Sequence, residues 1–150
     1  MQIYLNHLQA NVSISNPMTP LTELSPIHEK NEYNAHTFKI GEKKVIYRQA
    51  KITPKKIGLF VAIWKRNKQG ITQPYQTDDA FDFMMISVQT DKCNGYFLFP
   101  KEVLGSLGII STNNKEGKRG MRVYPTLETD MNKQALKTYH SQISFFHVVK

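Results

Sequence analysis

At 150 residues, with 40% hydrophobic and 11% aromatic content, the chain has enough apolar material for one globular domain with a core of its own, and its composition excludes a disordered polymer. A single cysteine, Cys93, excludes an intrachain disulfide and a cysteine-based metal cluster, and its setting suggests an ordinary exposed thiol. No apolar run approaches the ~20 residues of a membrane span and the N-terminus lacks a signal-peptide pattern, so a cytoplasmic location without membrane insertion is expected, while a net charge of +8 and a pI near 9.6 point to anionic partners.

Residues 1–10 carry Ile3, Tyr4, Leu5 and Leu8 at loosely helical spacing and predict a helix. Asn11–Pro26, with three prolines, reads as a loop holding one turn over Pro20–Leu24. Ser25-Pro26 then supplies a cap and a first helical residue for a short helix to Glu32, which carries Glu29 and Glu32. Tyr33–Lys39 and Lys43–Lys51 predict a hairpin, with Gly41 in a turn that needs positive φ. In its second strand Val45, Tyr47 and Gln49 alternate with Lys44, Ile46 and Arg48, and Gln49-x-Lys51 sets an amide and an ammonium on one face.

A turn through Thr53–Gly58 leads into a buried strand over Leu59–Arg66, followed by a hairpin loop at Asn67–Gly70 and a short edge piece, Ile71–Tyr75, interrupted by Pro74. Phe81–Val88, apolar on both faces, is the predicted central strand, and Tyr96–Phe99 follows. Pro100 opens a helix over Lys101–Leu107 that Gly108 closes. Ile109–Thr112 and Met121–Pro125 read as short strands flanking a basic glycine-containing loop. A last helix runs from its cap Asn132 to Phe146, burying Leu136, Tyr139, Ile143 and Phe146. The sum is an α/β (α+β) domain: a central mixed β-sheet flanked by helices, with residues 1–31 as an N-terminal helix and proline-rich loop ahead of a core over 32–147.

The positive charge is segregated. Lys43, Lys44, Arg48, Lys51, Lys55, Lys56, Lys65, Arg66 and Lys68 occur in one stretch without an acid, and Lys115, Lys118, Arg119 and Arg122 form a second block around Glu116. Lys133 and Lys137 extend it on the last helix. Such clusters attract phosphate polyanions and release their counterions. DNA, single- or double-stranded, is therefore the expected partner, contacted through these residues. Gly117 and Gly120 would let backbone N–H groups approach a phosphate, although a flexible solvated turn explains the same loop. Trp64 and Tyr75 are candidates to stack on unpaired bases, though Trp64 reads more readily as core. No phosphate loop, dinucleotide fingerprint, metal-binding histidine pair or nucleophile elbow is present.

Several segments together resemble the MepB family, small bacterial proteins often encoded beside a multidrug efflux gene. They are Glu32–Lys39, Ala50–Pro54, Trp64–Arg66, Phe81–Phe83, Phe99–Lys101, Lys115–Gly120, Arg122–Pro125 and Lys133-Gln134, within residues 31–147. More distantly, the order of parts is similar to the PD-(D/E)xK restriction-endonuclease-like core, where a helix acid precedes a strand Asp and then (D/E/Q)-x-Lys. This resemblance implies Glu29 or Glu32 as the helix acid, Asn34 at the Asp position, Gln49-x-Lys51 as the half-motif and Asp82 as a further candidate. Seating Mg²⁺ takes carboxylate charge, which Asn34 and Gln49 do not bring. The expectation is a DNA-binding protein with a degenerate, inactive nuclease-like site and no cofactor, in which Arg48, Lys51, Lys55 and Lys56 hold phosphate. The alternatives are a Mg²⁺-dependent endonuclease using Glu32, Asp82 and Lys51, or an accessory of a multidrug-resistance operon that binds a protein or small molecule.

Overall fold

The computed structural model describes residues 1–11, 20–27 and 33–149. Its centre is the predicted hairpin: β2 (His36–Ile40) and β3 (Lys43–Gln49) pair antiparallel across a turn in which Gly41 adopts φ +60°. β3 pairs in parallel with β8 (Phe83–Gln89), which turns back into β9 (Asn94–Pro100). With two edge strands, β1 (Leu21–Pro26) and β11 (Phe146–Val148), the sheet has six strands in the order β1-β2-β3-β8-β9-β11, one parallel pair among antiparallel ones. This is the mixed α+β architecture the residue pattern predicts.

Both faces of the sheet are covered, which is why β8 reads as apolar on each side. On one face Val45, Tyr47 and Met85 meet Leu5 and Leu8 of helix α1 (Gln2–Asn11). A hydroxyl pair there is satisfied internally, Tyr47 Oη lying 2.6 Å from Ser87 Oγ, and burial pushes the Tyr47 pKa up to about 12. On the opposite face Ile46, Met84, Ile86, Phe97 and Phe99 meet Leu59, Val61, Ile63 and Leu104.

The chain between β3 and β8, together with residues 101–123, supplies that second cover. β4 (Lys51–Ile52), β5 (Leu59–Ala62) and β10 (Gly120–Val123) form a three-stranded antiparallel sheet in the order β10-β5-β4, and β6 (Trp64–Arg66) and β7 (Thr72–Pro74) form a separate hairpin. The predicted strand over Leu59–Arg66 is thus broken at Ile63 and shared between two sheets. Helix α2 (Lys101–Ser106) follows Pro100, and Gly108 ends it at φ +72°, as predicted. Helix α3 (Lys133–Gln142) begins at Asn132, whose side chain accepts from the Ala135 N–H at 2.8 Å.

Several expectations are corrected. Pro20–Leu24 is not a turn: β1 (Leu21–Pro26) extends the sheet beside β2, bulging between Thr22 and Ser25 with Glu23 at φ +56°. An edge strand tolerates a proline and a bulge, because only one of its sides must bond. Ser25 and Pro26 therefore belong to a strand, while Glu29 and Glu32 lie outside the described residues. Ile109–Thr112 makes isolated bridges only, Ser111 with Gln76 and Thr112 with Lys115. The last helix stops at Gln142, passes through one 3-10 turn (Ile143–Phe145), and gives way to β11 (Phe146–Val148) on the edge of β9. Two local reasons are visible. The Phe146 ring packs 4.8 Å from that of Phe97, and Gly95 leaves room for the His147 carbonyl, which a Cβ there would strike. Cys93 is half-buried against the core rather than exposed, and burial raises its thiol pKa, away from the reactive thiolate.

Candidate functional site

The corner that follows β3 brings part of the predicted set together. Continuing the β2–β3 register places Asn34 across from Gln49. Asn34 takes the left-handed φ of +50°, and the Gln49 N–H donates to the Tyr33 carbonyl at 2.6 Å. After Ala50, whose N–H donates to the Ser87 carbonyl, the chain enters β4, and the exposed Lys51 rests its Nζ 5.1 Å from the centre of the Tyr33 ring. Asn34, Gln49 and Lys51 therefore share one neighbourhood.

Asp82 does not join them. Its carboxylate accepts from the Lys44 N–H at 2.9 Å, and its own N–H donates to the Lys44 carbonyl. Lys44 stands five residues before Gln49 on β3, about 16 Å away at the strand rise. The acid thus ties the starts of β3 and β8 together, at the opposite end from Lys51. Among the described residues no group of three or more His, Cys, Asp or Glu is placed to hold a metal ion. The described part of the corner offers Mg²⁺ neutral amides and an ammonium, and does not fit it.

The cations gather elsewhere, along a trough between β10 and α3. Two adjoining hollows of about 490 and 540 Å³ share Arg122, Tyr124 and Gln134 as a common wall. Lys115, Lys118 and Lys137 line the first, Lys55 and Lys56 the second, and Asp130 is the one acid among the described lining residues. Arg122 is held rather than loose: Nη2 donates to Thr53 Oγ1 at 2.7 Å and Nη1 to the Ile57 carbonyl at 3.3 Å. Both partners are neutral, so its charge stays uncompensated. Among the described residues none of the six trough cations has a carboxylate within ion-pair distance.

Each wall has a local cause. Lys55 sits in a turn at φ +69°, an uncommon conformation for a residue with a side chain. The 115–120 loop is pinned and is not a flexible solvated turn. The Gly117 N–H donates to Ser111 Oγ and the Lys118 N–H to the Ile109 carbonyl, each at 2.8 Å. A Cβ at Gly117 would lie 2.6 Å from backbone atoms of residues 109–111, so that glycine serves chain packing, and its N–H is already taken. Gly120 lies in β10 against the Phe60 ring.

The remaining predicted contacts disperse. Arg48, only 5% exposed, is corrected outright: it donates to the Tyr47 carbonyl at 2.9 Å and to Tyr75 Oη at 3.0 Å inside the core. Tyr75 is buried with it and presents no stacking face, while Trp64 is half-buried. Lys43 and Lys44 lie at the far end of β3. Lys65 pairs with Asp79 at 2.5 Å, Arg66 donates to the Gly70 carbonyl on the β6–β7 hairpin, and Arg119 lies 3.4 Å from Glu116. Lys133 stands exposed on the first turn of α3. Sequence reasoning missed Phe60, Thr53 and Gln142 around Arg122, because nothing in spacing marks residues that meet only across sheets.

Fold and site together define a small basic α+β protein with a cation-lined trough beside its central mixed sheet. The chain belongs to the MepB-like family, whose model matches residues 28–148. The crystal structure of MepB superposes with a TM-score of 0.81 at 33% identity, covering 98% of this chain and 95% of that one. A bacterial homing endonuclease, I-Ssp6803I, superposes with a TM-score of 0.46 at 18% identity, over 84% of this chain and 76% of that one. No curated protein matches the chain in sequence. Among the described residues no helix is long and apolar enough to cross a membrane.

Proposed function

We propose that this protein binds DNA through phosphate contacts along the trough, with little dependence on sequence, and that the Asn34–Gln49–Lys51 corner is a nuclease-like site without cleavage activity. One observation carries the reading: among the described residues, six cations line a continuous concave surface with a single carboxylate among them, and none is neutralised by an ion pair. A duplex presents one negative charge per ~1.7 Å, and the counterions released when cations replace them drive association. The amides at positions 34 and 49, and the distance of Asp82 from Lys51, support binding without metal-assisted hydrolysis.

Fluorescence anisotropy with labelled DNA at rising salt tests the binding. Each neutralised phosphate should contribute a slope of about −0.9 in log K against log salt on duplex, and an affinity indifferent to salt would remove the phosphate model. Incubating DNA with Mg²⁺ or Mn²⁺ tests the second half. Intact DNA is expected, and cleavage that Lys51→Ala abolishes would overturn the inactive assignment.

A further inference from the structure

The three-stranded sheet sets one residue from each strand in a single row. Lys51 of β4 is paired with Phe60 of β5, and Phe60 with Arg122 of β10. Directly paired residues on adjacent strands project to the same face, so an ammonium, a phenyl ring and a guanidinium stand side by side. Tyr33 completes the row. Its ring lies 6.3 Å from that of Phe60, edge to face, with Lys51 Nζ 5.1 Å from its own centre, and Arg122 Cζ is 6.0 Å from the centre of Phe60.

Phe60 departs from its strand. Leu59, Val61 and Ala62 are buried, and Phe60 alone in β5 is left half-exposed. A Cβ on Gly120 would sit 2.5 Å from the Phe60 ring, so the missing side chain lets that ring lie across the neighbouring strand. The two cations differ in freedom. Arg122 is fixed by Thr53 and the Ile57 carbonyl, whereas the side chain of Lys51 is exposed and rests on the Tyr33 ring.

Building on the proposed DNA binding, we infer that this row is a stacking platform for the bases of an unpaired nucleic-acid strand, whose phosphates are held by Lys51 and Arg122 and lead into the trough through Arg122. Phosphate binding alone needs no aromatic rings, and a duplex keeps its base faces stacked on one another. Only an unpaired strand offers π-faces to Tyr33 and Phe60. Moving the Lys51 ammonium from a ring face to a phosphate exchanges a weak contact for a charge-assisted one. Arg122 belongs to both the row and the trough wall, which makes the two surfaces continuous.

The test compares one oligonucleotide sequence as single-stranded DNA, single-stranded RNA and duplex DNA, by anisotropy at a fixed moderate salt. At least one single strand should bind about tenfold more tightly than duplex, and the DNA and RNA arms identify the sugar accepted. Phe60→Leu should lower the single-strand-to-duplex affinity ratio about tenfold, the contribution of one stacked base, while Phe60→Trp preserves it. Tyr33→Leu, outside the three-stranded sheet, should lower the same ratio and serves if Phe60→Leu disturbs the circular dichroism spectrum. A merely structural ring would change both affinities in step. Equal affinity for single strand and duplex, or a ratio that neither leucine variant moves, overturns the platform. Steep salt-dependent duplex binding alongside that result leaves the trough standing, whereas no binding to any of the three forms ends both readings.

Discussion

Gln142 donates from Nε2 to the Arg122 carbonyl at 3.0 Å, and its Oε1 accepts from the Tyr124 N–H at 3.1 Å. One buried side-chain amide at the end of α3 thus completes the free edge of β10 as a neighbouring strand would. It sets the distance between the two walls of the trough. Gln142→Leu leaves two backbone groups without partners, at about 1–3 kcal/mol each. The urea midpoint should fall by a corresponding amount, and DNA affinity should fall with it.

Not every basic residue should matter equally for binding. Replacing Lys118 and Lys137 together by alanine should reduce the salt slope by up to about 2, at about 0.9 per lost phosphate contact. The pair Lys43→Ala and Lys44→Ala, at the far end of β3, should leave the slope where it was. Equal effects of the two double variants in salt titrations would show that net charge, and not the trough, governs association.

Arg48 separates stability from binding. Arg48→Ala removes a guanidinium that packs in the core and bonds to the Tyr47 carbonyl and the Tyr75 hydroxyl. A loss of about 2–4 kcal/mol is expected from the cavity and the orphaned acceptors. The salt slope of DNA binding should not change. Denaturant melts alongside anisotropy check both halves.

The 115–120 loop should behave as packed structure. In Gly117→Ala the added Cβ would lie 2.6 Å from the Ile109 carbonyl oxygen and neighbouring backbone, which cannot swing aside as a side chain would. About 1–3 kcal/mol of destabilisation is expected. If the melting temperature stays put, the loop is looser than its contacts indicate.

His147 sets a pH dependence of stability. It stacks on Tyr96 at 5.2 Å, and burial, with a smaller contribution from the nearby His7, holds its pKa below the ordinary 6.5. The unfolded chain therefore takes up the proton first as pH falls. Stability is at its full value above the unfolded pKa and declines through the window between 6.5 and the lower folded value. Thermal melts of the protein and of His147→Phe between about pH 7.5 and pH 5 should show a shallower decline in the variant.

Much of the fold is local enough to be legible. The β2–β3 hairpin follows from alternation plus Gly41, β8 from its unbroken apolar run, and the start of α3 from Asn132. β1 and β11 are different. Both are edge strands whose bonds go to a partner outside their own segment, and propensity along Pro20–Leu24 or Ile143–Phe146 points to turn and helix instead. Open strand edges of β2 and β9 outweighed those local preferences, because a sheet edge offers a full row of backbone partners.

The sequence by itself determined the class of the chain: the family, the mixed α+β pattern and a segregated excess of positive charge are each written in composition and short-range order. Only the tertiary structure decided which charges act together. Lys55, Lys118, Arg122 and Lys137 come from four separate segments and share a trough, in part because Gln142 docks α3 on β10 and the bonds of Gly117 and Lys118 pin residues 115–118 against residues 109–111. Arg48, adjacent to Gln49 in sequence, is buried instead, on the face of the sheet where Trp64 and Tyr75 of the β3–β8 connection cover it. Charge is a property of residues, but an electrostatic surface depends on distances between them, and those are set by packing.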